Sequence, residues 1–467
     1  ANTINVNSIT LATGKGESAS VQFRSGLSGP TVTINDKNTG QGADLTAGFK
    51  SNQGTASPTG TVDFTAGTVN ATLHDVVLGS NSQTQDTATG NFSMSAGNVT
   101  ATSLTLGRST LAGGTANGTL NLSGGSFTVT GAITLGSQTA GTASGTLNLT
   151  GGGFSAGLGI TDGGGTSTLN LSGASLDLTG DAIGSATNAV NNLTFAAGAL
   201  ANVAEINGGG TLNKTSAGTL IINGINTYTG ATMVNAGTLR VDGSISSSSG
   251  VTVNSGGNFV AGATQRLNAL TINAGGTGSV LSGADKVLTT LSLTINSGGT
   301  LDLTDEDMII DYAVNSPVQD IRGMLFSGRL FSSFATATMR LGYGDNAVLG
   351  RSTFSGQSVD STSVLVKFTL AGDADLDGDA DGVDIGIWAT KFTGELAGTG
   401  SSVWTDGDWD YDGDVDGVDA GLWSQAFTGE QGGGGLSQPI APVTPARSPT
   451  PLTKTRTPTV RSPIIAI

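Results

Sequence analysis

Between Gly118 and Leu135 the apolar side chains fall on every second residue: Leu120 and Leu122, then Phe127 and Val129, then Ile133 and Leu135. Gly-Gly-Ser and Thr-Gly separate the three runs. Period two marks a strand with one buried face, and the interrupting glycines defeat a helical reading of the same residues. The unit also recurs. Gly60-Thr-Val-Asp-Phe, Gly90-Asn-Phe-Ser-Met, Gly118-Thr-Leu-Asn-Leu, Gly145-Thr-Leu-Asn-Leu and Ser167-Thr-Leu-Asn-Leu stand at offsets of 30, 28, 27 and 22. Three short strands in a unit of about 25 residues cannot bury their apolar face alone, but stacked units form a continuous core; this is one coil of a β-solenoid, or parallel β-helix.

Stacking aligns equivalent positions, so Leu120, Leu147 and Leu169 are expected to pile up inside while Asn121, Asn148 and Asn170 form an outward column. Such columns hydrogen-bond coil to coil, and outward threonines suit the pleat through β-branching. At roughly 4.8 Å per coil, residues 60–300 predict about ten coils and a rod on the order of 45 Å long. Residues 1–59 are less regular and read as N-terminal β coils protecting an open end; 301–371 read as a connecting β region.

Composition narrows the chemistry. The 467 residues include 75 glycines, no cysteine and one histidine, with 12% charged and 5% aromatic side chains. Disulfides, thiolate metal sites and cysteine nucleophiles are excluded, as are histidine-cluster metal sites. No run of about 18 apolar residues predicts a membrane span. Starting at Ala1 without an initiator Met is what a secreted chain looks like after signal-peptide removal. The net charge of -16 is unevenly spread: -6 over residues 1–371, -14 over 372–430 and +4 over 431–467. No basic footprint for nucleic acid exists, and the acid is a local feature.

That acid is patterned. Residues 373–384 and 408–419, offset by 35, are both twelve-residue loops rich in aspartate. A hard cation taking six to eight oxygens is served by carboxylates at loop positions 1, 3, 5, 9 and 12 and a carbonyl at 7, with glycine at 6 making the turn. In the first loop these are Asp373, Asp375, Asp377, Asp381 and Asp384, with the carbonyl of Asp379 and Gly378. In the second they are Asp408, Asp410, Asp412, Asp416 and Asp419, with the carbonyl of Asp414 and Gly413. Two EF-hand-type loops for two Ca2+ ions are expected. A helical apolar pattern follows each, Val383, Ile387 and Trp388 in one and Val418, Leu422 and Trp423 in the other. All four tryptophans lie in or beside this segment, and the helical pair is expected to be core.

Two resemblances follow from these residues. The stretch Gly218-Thr-Leu-Ile-Ile-Asn-Gly-Ile-Asn-Thr-Tyr228, continuing to Gly237-Thr-Leu-Arg-Val-Asp-Gly243, resembles the autotransporter-associated β-strand repeat of bacterial surface and secreted proteins. It implies a right-handed solenoid passenger exported to the cell surface. No amphipathic barrel strands follow, so transport through a barrel of its own is not expected. The duplicated loop, each copy followed by one helix and ending in Asp at position 12, resembles the type I dockerin module over residues 372–430. That implies a calcium-folded module that docks on a cohesin domain through its helices. It departs at loop positions 10 and 11, Gly382-Val383 and Gly417-Val418, where cellulosomal members favour Ser/Thr pairs. Residues 431–467 read as a Pro/Thr-rich tail, a linker or a strand donor to a neighbouring edge, without the Pro-Glu-Pro sorting motif of many such proteins.

The sequence therefore points to a mostly β protein, a solenoid followed by a small α-helical module, secreted or cell-surface and structural: a stalk, adhesin or filament subunit. Its partners are expected to be a cohesin-like protein, further copies of itself in fibres or sheets, or a surface glycan. Solenoids also host polysaccharide lyases and hydrolases. The carboxylates Asp302, Asp305, Glu306, Asp307 and Asp311 are the enzyme candidate, but no aromatic subsite accompanies them and a strand-end role is expected; His74-Asp75 reads as a surface pair. No catalytic residue is expected.

Overall fold

A computed structural model describes residues 2–14, 17–37, 40–396 and 400–429. The tail from 430 onward, with its linker and strand-donor readings, lies outside the described residues.

Successive units stack in parallel. One column begins at Asn2–Val6, continues through Thr31–Asp36, Thr68–Asn81 and Gly97–Ser109, and ends at Leu330–Phe331, fourteen strands on. The ten from Thr68–Asn81 to Thr277–Val280 match the ten coils that the repeat spacing predicts for residues 60–300. Two further columns close the coil on its other faces. At roughly 4.8 Å per rung, the long column spans about 60 Å. Several strands in the first half of the rod are longer than the alternation predicts. Thr115–Val129 and Thr142–Ala156 each run 15 residues, carrying two of the three expected strands through a bulged corner with register shifts at Ser123. A bulge lets the ladder turn without breaking.

The predicted columns form. Leu120 pairs with Leu147 and Leu147 with Leu169, all fully buried. Outside, Asn170 Nδ2 donates to Asn148 Oδ1 and Asn148 Nδ2 to Asn121 Oδ1, both at 2.8 Å. A second and longer asparagine ladder, Asn213, Asn235, Asn254, Asn273 and Asn296, is linked side chain to side chain at 2.5 to 2.8 Å. Inside, Phe23, Phe64, Phe92, Phe127 and Phe154 stack successively with centroids 5.5 to 6.1 Å apart, in the range of favourable aromatic pairs.

The glycine that opens the first four repeats is a packing requirement. Gly118 faces the corner at Gly107 (φ +70°), and a Cβ on Gly118 would sit 2.3 Å from the Gly107 amide nitrogen. Gly145 and Gly136 repeat the arrangement one coil on. Two backbones meet there with no room for a side chain, which explains why Gly-Thr-Leu-Asn-Leu recurs rather than any alternating strand.

A shorter parallel column, Gln265–Leu267 and Val287–Thr290, ends at Asp307–Asp311. The strand Ser363–Leu370 adds to it antiparallel, pairing Met308 with Val366 and Ile310 with Val364, and Met339–Asp345 adds to that in turn. Helix Val318–Phe326 lays Ile321, Met324 and Leu325 into the core. This cap, residues 301–371, joins the rod to the acidic segment. At the other end, Asn2–Val6, Ser8–Thr13 and Ser18–Gln22 have pairing partners on one side only among the described residues.

Candidate metal centre

Each acidic loop is shaped by its own aspartates. The carboxylate of Asp375 accepts the Asp377 amide and that of Asp377 the Asp379 amide; Asp410 and Asp412 do the same for Asp412 and Asp414, all at 3.1 to 3.2 Å. These side chain-to-backbone turns explain why alternate aspartates curl the chain rather than extend it. Gly378 and Gly413 sit at φ +104° and +98°, the left-handed region expected at position 6.

The helices Gly382–Lys391 and Gly417–Ala426 begin at Asp381 and Asp416, whose carboxylates accept the Val383 and Val418 amides at 2.7 Å. Asp384 and Asp419 complete reciprocal caps by accepting the Asp381 and Asp416 amides. Their other oxygens reach back to the loop start, taking Ala374 N and Trp409 N at 2.7 Å. Position 12 thus ties the first residues of the loop to the helix.

Carboxylate oxygens converge as a result. Those of Asp373, Asp375 and Asp384 lie within 4.8 Å of one another, as do those of Asp408, Asp410 and Asp419, and of Asp379, Asp381 and Asp384. In the second loop Asp412 and Asp414 cluster instead with Glu395, from the connector between the loops, which the loop pattern did not single out. Asp373 and Asp408 are fully buried. Asp408 Oδ1 and Asp414 Oδ1 are buried without a hydrogen-bond donor. Burial pushes Asp373 up to about 6, Asp384 to about 7 and Asp419 to about 7; burial together with the neighbouring Asp419 takes Asp408 to about 8. Asp375, Asp379 and Asp410 are raised for the same reasons. Clustered, buried, under-paired carboxylates are the donor set of a hard divalent cation. The clustered acids, Asp373, Asp375, Asp379, Asp381 and Asp384 in the first loop and Asp408, Asp410, Asp412, Asp414 and Asp419 in the second, have the donor chemistry that fits Ca2+.

The helical tryptophans pack against the core, as expected, but only partly buried. Trp388 Nε1 donates to Asp416 O at 2.8 Å and Trp423 Nε1 to Asp381 O at 3.0 Å, so each helix is tied to the opposite loop. Both are partly buried, whereas Trp404 and Trp409 are the fully buried pair. Val383 and Val418, which the helical pattern placed on the apolar face, are 58% and 54% exposed. At the first turn each helix's inward face is taken by the capping aspartates, which leaves the valine outward.

The rod-end carboxylates are each engaged by neighbouring structure. Asp302 accepts the Thr304 and Ser333 amides, Asp305 the Gly283 amide, Asp307 the Phe368 amide and Ser355 hydroxyl, and Asp311 pairs with Arg266 at 2.9 Å. Glu306 takes Lys286 through both its amide and its ammonium. Their protein partners join strand ends and corners. His74 lies 3.1 Å from Asp44 and 3.7 Å from Asp75 on the rod surface.

Among the described residues no helix is long and apolar enough to cross a membrane. Residues 212–241 match the passenger-associated-transport repeat family. The matched stretch covers the strands from Leu212–Lys214 to Gly237–Val241 and includes Tyr228, fully buried with its hydroxyl 2.8 Å from Thr232 Oγ1. No curated protein and no solved structure matches the chain significantly. The chain carries a passenger-type repeat within a long parallel β-solenoid.

Proposed function

We propose that this chain is a secreted or cell-surface structural protein whose solenoid serves as a stalk, adhesin or filament subunit, with two Ca2+ ions held by the loops at 373–384 and 408–419. The observation that carries the structural reading is the column of fourteen parallel strands, with outward surfaces knit by asparagine ladders. The passenger-type repeat at 212–241 supports export. The converging carboxylates and the donorless oxygens of Asp408 and Asp414 support the cation. Dockerin-like docking onto a cohesin-like partner belongs to the same proposal: the two helices, each tied to the opposite loop, support it, and a calcium-dependent cohesin pull-down checks it. Electron microscopy of the chain in millimolar calcium and in chelator tests the assembly role. Ordered filaments or sheets are expected with calcium, and dispersed short rods in both conditions would remove the filament reading while leaving the stalk.

A second reading, glycan binding, is favoured by a polar cleft of about 480 Å³ between the rod and the cap, lined by Ser244, Arg266, Asp311, Gln357 and Asp360. Glycan-array binding abolished by Arg266→Ala would support it, and no binding to any glycan would remove it.

A further inference from the structure

The acidic loops are gripped by basic side chains of the cap. Lys367 Nζ donates to the Leu376 carbonyl at 2.9 Å and stands over Gly378, where an added Cβ would meet it at 3.4 Å. Arg351 donates to the Asp375 carbonyl at 2.6 Å. On the second loop, Arg322 of the cap helix lies so close on Gly413 that a Cβ there would overlap its guanidinium, and it donates to Gly400 O at 3.2 Å. Each loop's turn glycine therefore sits beneath a cation supplied by the cap.

The grip is reciprocated. Trp404 Nε1 donates to Asp373 O at 2.5 Å, and Trp404 stacks on Tyr411 with centroids 5.8 Å apart. Tyr411 donates its hydroxyl to Leu341 O on the cap strand Met339–Asp345. Thr369 Oγ1 donates to the Asp373 carboxylate. Lys367 and Thr369 lie two apart on Ser363–Leu370, the strand that also closes the last parallel rung at Asp307–Asp311. One strand thus carries both the terminal pairing of the rod and the contacts to the first loop.

The end of a stack opens more readily than its middle, and here Asp307–Asp311 is held on its outer side by Ser363–Leu370. We propose that cation occupancy of the two loops locks the rod's C-terminal end. An ion-bound loop holds the carbonyls of Asp375 and Leu376 where Arg351 and Lys367 reach them, so loop order is passed to Ser363–Leu370 and from there to Asp307–Asp311. This rests on the calcium reading above. Coupling is reciprocal, so loosening the cap weakens the loops' hold on the ion by the same factor.

Hydrogen exchange of the full chain, read by peptide in calcium and in chelator, tests the lock. The loop peptides 373–384 and 408–419 report ion binding, 305–312 and 363–371 report the rod end, and 142–156 reports the middle of the rod. Calcium is expected to slow exchange about tenfold or more in both the loops and the rod end, leaving the middle unchanged. In the Arg351→Ala/Lys367→Ala chain the loops are expected to keep their calcium response while the rod end loses its own, with unchanged protection at 142–156 certifying the fold. Calcium-responsive loops beside an indifferent rod end, in the unaltered chain, would overturn the lock and leave the calcium reading standing; so would a rod end that still responds in the double variant. Loops indifferent to calcium would overturn both.

Discussion

The rod and the acidic module solve the same problem in opposite ways. Where coils of the rod repeat, leucine meets leucine, phenylalanine meets phenylalanine and asparagine bonds to asparagine. Like-on-like stacking is favourable because the repeated groups are apolar or carry both donor and acceptor. The module repeats aspartate, which carries acceptors only when ionised. Six carboxylates crowd each twelve-residue loop; burial and then neighbouring charge raise Asp408, and Asp408 Oδ1 and Asp414 Oδ1 are left buried without donors. Repetition that stabilises neutral amides destabilises anions unless a cation intervenes. The rod is therefore expected to stand without ions and the module to depend on them.

The largest expected effect breaks that comparison directly. In chelator the buried Trp404 and Trp409 should become exposed, red-shifting the emission, while the far-ultraviolet β signal of the rod persists. At calcium a thousandfold above Kd, each filled loop contributes about 4 kcal/mol to the module. Identical melting traces with and without calcium would sink the calcium assignment.

Within the rod, Leu147→Ala is expected to cost about 3 kcal/mol through a buried cavity, and Gly145→Val about as much by forcing apart the backbones that meet at Gly136. Thermal unfolding by circular dichroism reads both, and neither should alter the calcium response of the tryptophans.

The pH dependence sharpens the contrast. The loop acids have folded-state pKa values raised from 3.8, so the ion-free module is most stable below that value and loses this stability as pH climbs through about 6 to 8. In chelator the module's midpoint should fall across that window; in calcium it should hold or rise, because the ion binds the deprotonated form. Melts between pH 5 and 8 decide, and a midpoint that rises with pH in chelator would contradict the assignment.

The smallest effect is expected at the ladders. Asn148→Ala removes one donor and one acceptor from the Asn121–Asn148–Asn170 column and should cost about 1 kcal/mol, a small displacement of the rod midpoint. A loss as large as that of Leu147→Ala would mean that the polar columns, rather than the core, set coil register.

Much of this was legible in the chain. Alternation at Leu120, Leu122, Phe127 and Val129 indicated strands, and the offsets of Gly-Thr-Leu-Asn-Leu indicated stacking in register. The ladder from Asn213 to Asn296 was legible too, in the Val-Asn and Ile-Asn pairs that end Thr232–Val234, Val251–Val253, Leu270–Ile272 and Leu293–Ile295, but its shorter spacing hides it from a search tuned to longer units. The loop acids were legible because their turns form between residues two apart. Val383 and Val418 were misjudged because a helix's inward face depends on what packs against it, and here the capping aspartates occupy the first turn.

What the chain determined by itself is whatever a few consecutive residues decide: strand from period two, coil from the repeat, turn from Asp-x-Asp-Gly, helix start from the capping aspartate. Tertiary structure alone decided which end of the rod is closed, how Glu395 joins the second loop, and that Arg322, Arg351 and Lys367 settle on the acidic loops. Arg322 and Gly413 are 91 positions apart, and no local pattern marks one as the other's neighbour. Their meeting depends on the cap folding back across the last rung, where backbone pairing, apolar burial and charge are satisfied together.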